Sequence, residues 1–368
     1  MNSSPSSAKR LEEVHRIAVL RPNAVGDFVF ALPALVALRA AYLEAHIVLL
    51  ARRWHREFLR ERPAPVDEVI ELPPVPGVGA SPGEPADLER IDRFVAEMQS
   101  RRFDLALQMY GGGRYSNPFL HRLRPGLTAG LCTADAAPLD RSIEYRPWQN
   151  ERLRLLEVVG LVGATPVDLA PPLAVIERDH AELRACIDLP ERPVVVLQPG
   201  ATDPRRRWPA ERFAAVGDAL AGLGAMVVIN GDAAERALAA CVAQAMHASA
   251  IDVSGSLSLS GLAALLERAT VLVSNDTGPL HLADAIGTRT VGLYLVLNLI
   301  TSAPLVGARQ RHRFSIRTMC PVCGAENVHV RCPHDVCFID DIETDQVIGL
   351  ALEAFKESAA CAADAALA

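Results

Sequence analysis

The sequence has little of several features that mark particular classes of protein. Aromatic residues account for only 5% of its 368 residues, and only two of its 37 basic residues are lysine. The 44 acidic residues outnumber the basic ones, and the net charge of −7 argues against a nucleic-acid-binding protein. No segment approaches the roughly 20 apolar residues that a membrane-spanning helix needs. We therefore expect neither a nucleic-acid partner nor an integral membrane protein.

Targeting signals are also missing from the beginning of the chain. Residues 1–16 are polar and lack the apolar core of a secretory signal. We therefore expect a cytoplasmic protein with a disordered tail over residues 1–15, and composition leaves peripheral contact with the inner membrane open. Half of the residues are apolar and 22% are charged, which is the balance of a globular protein and excludes a mainly disordered chain.

Eight cysteines are too few for a disulfide scaffold of this length, but four of them cluster near the C-terminus. Cys320, Cys323, Cys332 and Cys337 follow a C-x2-C-x8-C-x4-C spacing in a segment that reads as a loop, 320–337. Two pairs of thiols in such a loop suit a tetrahedral structural metal, either zinc or iron. Two alternatives stay open, namely reduced thiols that only pack, and a redox role.

Strand and helix patterns alternate along two parts of the chain, residues 16–170 and 193–342. This alternation predicts parallel sheets with helices on both faces, and hence an α/β protein of two domains. A proline-rich stretch, 171–192, reads as the linker, and residues 343–368 read as a last helix and tail. Ligands of such sheets bind beyond the carboxyl ends of the strands, so we expect the chemistry in the loops that follow them.

The first segment with functional character is RPNAVGDFVFALPAL, residues 21–35. It follows a predicted strand and enters a predicted helix, and it lacks the GxGxxG pattern of dinucleotide-binding proteins. Asp27 is expected in the first helical turn, where the helix dipole favours a carboxylate that stays ionised and can accept a proton. The alternative is that Asp27 only caps the helix.

Two further segments carry groups that suit a phosphate ligand. In residues 194–213, a strand is followed by Thr202 and by three arginines, Arg205–Arg207, which otherwise form a solvated basic turn. In residues 271–294, a predicted helix begins after a strand with Asp276, Thr277 and Gly278, and His281 lies one turn later. Helix N-termini bind anions, although a capped helix with a core histidine explains the same pattern. Because the Walker pattern GxxxxGK[ST] is absent, the two segments indicate a nucleotide diphosphate held by helix ends and arginine.

Taken in order, the three segments resemble glycosyltransferase family nine, the ADP-heptose:lipopolysaccharide heptosyltransferases. The resemblance covers roughly residues 16–357 and rests on Arg21 with Gly26-Asp27 and Pro33, Pro199-Gly200-Ala201, Arg206 with Trp208-Pro209, and Asp276-Thr277-Gly278 with His281. It implies a GT-B fold, in which two Rossmann-like domains face each other across a cleft. It also implies an inverting transferase without a catalytic metal, whose N-terminal domain takes the acceptor and whose C-terminal domain holds the ADP-heptose donor.

The resemblance also assigns roles to individual residues. Asp27 matches the general base, and Arg206 matches a position that is usually lysine and contacts the donor phosphate. The other donor-binding candidates are Thr202, Glu235 for the ribose, and Asp276, Thr277, Gly278 and His281 around the pyrophosphate. The sequence departs from the family at Leu295–Asn298, where a glycine-rich turn is common.

The sequence predicts transfer of heptose from ADP-heptose to a lipopolysaccharide core or related glycan. The alternative within the family is transfer of heptose to a protein, or of another sugar from its nucleotide, because the cysteine segment resembles that of the branch that glycosylates autotransporter proteins. The alternative of another class is a non-catalytic, metal-containing nucleotide-sugar-binding or assembly protein. The expected partners are the nucleotide-sugar donor and a glycan, lipopolysaccharide-core or protein acceptor.

Overall fold

The chain forms two compact units in the computed structural model, divided between Pro171 and Pro172. The structure describes residues 9–367, with side chains as far as residue 358. Residues 1–8 of the predicted N-terminal tail and the side chain of Cys361 therefore lie outside the described residues. Each unit contains one six-stranded sheet flanked by helices, which confirms the α/β class.

The first unit is built on a parallel sheet with the strand order β3-β2-β1-β6-β7-β8. Its strands are β1 (Arg16–Leu20), β2 (His46–Ala51), β3 (Glu68–Glu71), the short pair β4 (Val75–Pro76) and β5 (Gly79–Ala80) outside that sheet, β6 (Leu105–Gln108), β7 (Leu127–Cys132) and β8 (Arg141–Glu144). Its helices are α1 (Val25–Ala41), α2 (Arg53–Leu59), α3 (Leu88–Ser100), α4 (Ser116–Arg122) and α5 (Glu151–Gly160).

Apolar sequence patterns explain how the first unit packs. The central strand β1 buries four of its five residues, since helices cover both faces of a parallel sheet. Helix α3 buries Ile91, Phe94, Val95 and Met98, which share one helical face, and Asp87 caps its first turn by accepting a hydrogen bond from the Arg90 N–H. Helix α1 packs against α5, which positions the beginnings of both helices beside β1.

The second unit repeats the architecture with the order β11-β10-β9-β12-β13-β14. Its strands are β9 (Val194–Gln198), β10 (Met226–Ile229), β11 (Ala250–Asp252), β12 (Val271–Asn275), β13 (Thr290–Leu295) and β14 (Gln310–Ser315). Its helices are α6 (Glu177–Cys186), α7 (Ala210–Ala221), α8 (Arg236–Ala245), α9 (Leu259–Arg268), α10 (Gly278–Ile286), α11 (Val296–Ser302) and α12 (Thr344–Leu367), with single 3-10 turns at Pro204–Arg206 and Ala233–Glu235.

The core of the second unit explains why its C-terminal helix belongs to it. The side chains of Trp208 and Phe213 pack with β9, β10 and β12, and Val347, Ala351 and Phe355 of α12 join the same cluster. The indole N–H of Trp208 donates to the carbonyl of Ile342 over 3.1 Å. This single hydrogen bond satisfies the only polar group of a fully buried tryptophan.

Both sheets have the Rossmann strand order. The chain first adds strands on one side of its first strand, and then returns to add the remaining strands on the other side. In the first unit the reversal lies between β1 and β6, and in the second between β9 and β12. Ligands of such sheets bind outside the carboxyl ends of the strands at this position. The segments that follow β1, β9 and β12 are the three that the sequence singles out.

Two further points concern the boundaries of the units. The predicted linker, 171–192, contains α6, which packs on α9, and Leu173 donates its N–H to the carbonyl of Ala285 over 2.9 Å. Helix α12 continues to Leu367, through the residues predicted to form a tail.

Within residues 9–367, none of the helices combines the length and apolarity that crossing a bilayer demands.

Candidate active site and candidate metal centre

Asp27 lies in the first turn of α1, directly beyond the carboxyl end of β1. The cap position of this helix belongs to Ala24, which makes no side-chain capping bond, so Asp27 is not the N-cap. Its carboxylate is 37% exposed. It is therefore open to a ligand while its backbone is fixed in the helix, as a proton acceptor requires.

A buried arginine holds this part of α1 in place. The guanidinium of Arg21 is 1% exposed and donates from Nη2 to the Asp27 carbonyl over 2.9 Å, with the Asp27 carboxylate 3.5 Å away. Its Nη1 donates to the Met109 carbonyl beyond β6, and to Glu151 Oε1 over 3.0 Å. Glu151, in the first turn of α5, also pairs with Arg154. Arg21 thus joins the ends of β1 and β6 to the beginnings of α1 and α5.

An aromatic cluster packs behind Asp27. Phe28 lies edge-on to the rings of Trp54 and His55, and these two rings stack with their centroids 3.6 Å apart. His55 is completely buried, and burial lowers its pKa to about 3. The backbone N–H of Arg52 donates to its Nδ1, so the neutral ring carries its proton on Nε2. His55 is therefore a neutral packing residue at physiological pH.

We expect His55 to make the first unit sensitive to acid. Because the pKa of His55 is about 3 in the folded protein and 6.5 as a free side chain, only the unfolded chain binds the proton between these values. The free energy of unfolding should fall by up to about 1.4 kcal/mol per pH unit through this group below pH 6.5. The His55→Gln variant should lose this part of the slope in urea titrations between pH 7 and 4.5, whereas His15→Gln, at an exposed position, should keep it. Equal slopes in all three proteins would contradict the assignment.

In the second unit, a buried carboxylate organises the predicted donor site. Asp276 is 2% exposed; its Oδ1 pairs with His281 Nε2 over 2.9 Å and its Oδ2 accepts from Arg206 Nη1 over 3.0 Å. Burial by itself would raise the pKa of Asp276, but the hydrogen bond and charge of His281 and the charge of Arg206 hold it below its ordinary value. Asp276 therefore stays ionised and orients two cationic or hydrogen-bonding side chains, Arg206 and His281.

These side chains gather at the N-terminus of α10. Thr277 occupies its cap position with an extended backbone and makes no side-chain capping bond, and Gly278 is the first helical residue. His281 is buried and bonded to Asp276, so it is not a plain core residue. Arg206 is half-buried and bonded, so the turn that carries it is not simply solvated. The helix N-terminus and Arg206 together suit an anionic ligand.

The sequence analysis did not identify one residue that supports Asp276. The hydroxyl of Ser302 donates to Asp276 Oδ1 over 3.1 Å, from the last turn of α11. Helix α11 begins directly after β13 and includes most of Leu295–Asn298, where the sequence departs from the family. The helix that begins in the departing residues therefore carries Ser302, which bonds to the buried carboxylate. A polar residue in an apolar helical segment was the only available signal.

The other two donor candidates lie along the same edge of the sheet. Glu235 Oε2 accepts hydrogen bonds from Gln198 Nε2 and from the Asp232 N–H, over 3.3 and 3.1 Å. A Cβ on Gly200 would lie 2.0 Å from the Glu235 carboxylate, so a larger residue there would displace the Glu235 side chain from this position. Thr202 is exposed on the following loop. The structure thus joins Glu235 to the end of β9, whereas Arg206, Asp276 and His281 form a separate bonded group.

Three thiols and one imidazole meet in the cysteine segment. Cys320, Cys323, Cys332 and His334 each offer one ligand atom, and these atoms all lie within 4.8 Å of one another. A tetrahedral site with metal–sulfur bonds of about 2.3 Å needs sulfur atoms about 3.8 Å apart. The backbone N–H of His334 is the main cause that lowers the pKa of Cys332 to about 6, which favours the thiolate that a metal needs. The donor set fits a structural zinc or iron ion.

The fourth side chain of this group is His334, whereas the sequence predicted Cys337. Cys337 is half-buried and packs against the main apolar core of the second unit, outside the group of four. Burial raises its pKa, which favours the neutral thiol. The following residue, Phe338, is buried against Cys320 and Cys332, so the chain at this point presents a ring rather than a thiol to the group.

Comparisons with known proteins show the family of this chain. The sequence profile of glycosyltransferase family 9 (heptosyltransferase) matches residues 93–320. Lipopolysaccharide heptosyltransferase 2 of Salmonella typhimurium is 28% identical in an alignment of 297 positions, and the match covers 76% of this chain and 82% of that protein.

Solved structures show the same fold. A family 9 glycosyltransferase from Veillonella parvula superposes with a TM-score of 0.80 at 20% identity, over 95% of this chain and 99% of that one. The ADP-heptose lipopolysaccharide heptosyltransferase II of E. coli gives 0.72 at 19% identity, over 93% and 99%. The iron-containing dodecameric glycosyltransferase TibC of enterotoxigenic E. coli gives 0.55 at 13% identity, over 95% and 78%. The fold is therefore the GT-B fold, and the chain is a glycosyltransferase that belongs to family 9, the heptosyltransferase family.

Proposed function

We propose that the protein is an inverting heptosyltransferase that moves heptose from ADP-heptose to a lipopolysaccharide-core acceptor. The observation that carries the proposal is the bonded group of Arg206, Asp276 and His281 at the N-terminus of α10, beside the chain reversal between β9 and β12. This group offers positive charge and helix N–H groups to a diphosphate. The similar enzyme of E. coli uses ADP-heptose, and the Salmonella relative is a lipopolysaccharide heptosyltransferase.

The reaction is a single displacement at the anomeric carbon of the sugar. An acceptor hydroxyl oxygen forms the new bond to this carbon as the bond to the diphosphate oxygen breaks, and ADP leaves with the bonding electrons. The hydroxyl proton passes to the carboxylate of Asp27, which acts as the general base. Because one displacement occurs, the configuration at the anomeric carbon inverts.

Charge builds up on the diphosphate as it leaves. Arg206 and the N-terminus of α10 stabilise this charge, and Asp276 keeps the Arg206 guanidinium oriented before the donor arrives. Glu235, fixed at the end of β9 by Gln198, accepts hydrogen bonds from the ribose hydroxyls. Thr202 adds a hydroxyl donor from the exposed loop beside the same turn.

The test is a transfer assay with purified full-length protein, ADP-heptose and a lipopolysaccharide core that lacks heptose. We expect mass spectrometry to show the addition of one heptose to the acceptor. NMR should show that the anomeric configuration of this heptose is inverted. A protein acceptor and ADP-glucose in place of ADP-heptose serve as the competing substrates. Faster transfer to protein, or from ADP-glucose, would overturn the stated substrates, and ADP binding without any transfer would favour a non-catalytic binding protein.

Arg206 provides a prediction about donor affinity. The Arg206→Met variant should weaken ADP binding about tenfold to 100-fold, because a charge-assisted hydrogen bond to phosphate is lost. Isothermal titration calorimetry measures this effect. Arg206→Lys should keep most of the affinity, since the family commonly has lysine here. Arg207→Met is the matched control, since the Arg207 guanidinium donates to the Ala201 carbonyl earlier in the same loop. An unchanged dissociation constant in Arg206→Met would remove Arg206 from the donor site.

The cysteine group completes the proposal. Cys320, Cys323, Cys332 and His334 hold one structural metal ion, with iron as the first candidate because the similar TibC enzyme contains iron. When bound, the ion cross-links the segment and takes no part in sugar transfer. Elemental analysis should find about one equivalent of iron or zinc. His334→Ala should lose the ion while Cys337→Ser keeps it, and the reverse result would restore Cys337 as the fourth ligand.

A further inference from the structure

The turn that carries Arg206 touches the cysteine segment directly. We define the donor turn as residues 203–207 and the cysteine segment as residues 318–338. Arg205 Nη1 donates to Asn327 Oδ1 over 3.0 Å, and the same oxygen accepts the backbone N–H of Cys332 over 2.9 Å. One amide oxygen therefore joins an arginine of the donor turn to a residue of the candidate metal centre.

Two more contacts reinforce this connection. The backbone N–H of Phe338 donates to the carbonyl of Arg205 over 2.8 Å, and the Arg205 guanidinium lies 5.6 Å from the centre of the Phe338 ring. That ring is 2% exposed and packs against Cys320 and Cys332. The donor turn thus rests on the residues that would surround a bound ion.

Arg206, the next residue of the donor turn, is bonded to Asp276 of the candidate donor site. Arg206 donates from Nη1 to the carbonyl and carboxylate of Asp276, over 3.1 and 3.0 Å. Arg205 is also held within the turn, since its Nη2 lies 2.6 Å from the Asp203 carboxylate and its N–H donates to the same side chain. A displacement of the Arg205 backbone therefore moves Arg206, because the two are consecutive residues of one 3-10 turn.

We propose that the ion at the cysteine group and the nucleotide diphosphate bind cooperatively, with Arg205 and Asn327 as the positioning residues that link them. The proposal rests on the function proposed above, since it takes ADP as the ligand of Arg206. Without the ion, the loop around Cys332 relaxes, the Asn327 oxygen shifts and the donor turn loses its support. The orientation of Arg206 toward the diphosphate is then no longer preset, and donor affinity falls.

Calorimetry with ADP tests the proposal without measuring transfer. The full-length protein is titrated as loaded with metal and after treatment with a chelator, with circular dichroism to check that the fold persists. Coupling between two sites is typically about five- to 150-fold in affinity. We therefore expect ADP to bind at least about fivefold more tightly to the loaded protein. A ratio below about twofold, with ADP bound by both forms, would overturn the linkage and leave the donor assignment intact.

Three variants identify the path of the coupling. Asn327→Leu removes the shared oxygen and should bring the ratio of the two ADP affinities close to one. Asn327→Asp keeps an oxygen for both Arg205 and the Cys332 N–H, and should preserve the ratio. Arg317→Met is the matched control, because Arg317 pairs with Asp340 in the same region. An Asn327→Leu variant with the wild-type ratio would overturn the assigned path.

A reciprocal measurement keeps the proposal testable if the stripped protein unfolds. Coupling of binding free energies is mutual, so ADP should raise the affinity for the ion by the same factor. Competition against a chromophoric chelator, with and without ADP, measures this on the loaded protein. No effect of ADP would overturn the proposal. Failure of ADP to bind any form would overturn the donor assignment and the linkage together, and uptake of neither iron nor zinc would overturn the metal centre and the linkage.

Discussion

Replacing Asp27 by asparagine is expected to lower kcat for heptosyl transfer by about 10²- to 10⁴-fold, the usual contribution of a general base. The amide has the size of the carboxylate but cannot accept a proton. The backbone carbonyl of Asp27 still accepts from Arg21, so the beginning of α1 should keep its position. The effect therefore falls on the chemical step, and steady-state assays with ADP-heptose and acceptor core measure it.

The control for this variant is another aspartate at a helix start. Asp87 caps α3 through the Arg90 N–H, and Asp87→Asn should leave kcat unchanged. ADP should bind the Asp27→Asn protein as tightly as the wild type, because the proposed donor-binding residues Arg206, Asp276 and His281 belong to the second unit. Retention of more than about a tenth of wild-type kcat would remove Asp27 from the role of base.

Replacing Glu151 by leucine is expected to destabilise the protein by about 3 kcal/mol, because removing one partner of a buried ion pair leaves the other charge uncompensated. The Glu151 carboxylate is 15% exposed and pairs with two buried arginines, Arg21 and Arg154, whose side chains are 1% and 4% exposed. Both arginines would keep carbonyl partners but lose their shared carboxylate. Urea denaturation, followed by circular dichroism, measures the loss.

The matched control for Glu151→Leu is on the same helix. Glu157 is exposed on α5, and Glu157→Leu should change the free energy of unfolding by less than about 0.5 kcal/mol. In the Glu151→Leu protein at low temperature, where it stays folded, kcat should also fall while the ADP dissociation constant stays the same, since Arg21 positions Asp27. Equal stability of the two leucine variants would show that the buried pair is not needed.

The apolar centre of each sheet was predictable from the sequence. The buried strands β1, β2 and β9 have continuous apolar runs, helix α1 is apolar along most of its length, and helix α3 has one apolar face. These elements confirm the predicted alternation, because strands covered on both sides need apolar residues throughout. Once the strands are located, the loops at their carboxyl ends are located as well. The three functional segments could therefore be found from the sequence.

Two of the four strands at the edges of the six-stranded sheets, β8 and β14, were not predictable in the same way. Strands β8 and β14 have the sequences RSIE and QRHRFS, with charged residues at several positions. Each is hydrogen-bonded to one neighbour only, so little of its surface must be apolar, and charge at an edge also discourages pairing with another chain. Their strand character comes from tertiary pairing, which a local pattern does not encode.

Site residues that depend on distant partners were likewise missed. Glu151 is 130 residues from Arg21 in the sequence, and Ser302 is 26 residues from Asp276. Neither pairing has a local signal. The same holds for the cysteine group, where spacing alone predicts Cys337 and only the folded loop brings His334 close to Cys320, Cys323 and Cys332 instead. Residue type and spacing were enough to identify the functional segments. Which side chains meet within them depends on the folded path of the chain.

The cysteine segment belongs to an unusually long connection, residues 316–343, which contains neither a helix nor a strand. Loops of more than about 15 residues without regular structure are uncommon in compact domains, and exposed ones are preferred sites of proteolysis. This connection contains Arg317 and Arg331, both targets for trypsin-like proteases. It is held by contacts of Arg331 and Asn327 with the donor turn and by the ion pair between Arg317 and Asp340. If the proposed ion binds there, losing it would remove a cross-link from this connection, and the lifetime of the protein would then depend on the supply of the ion.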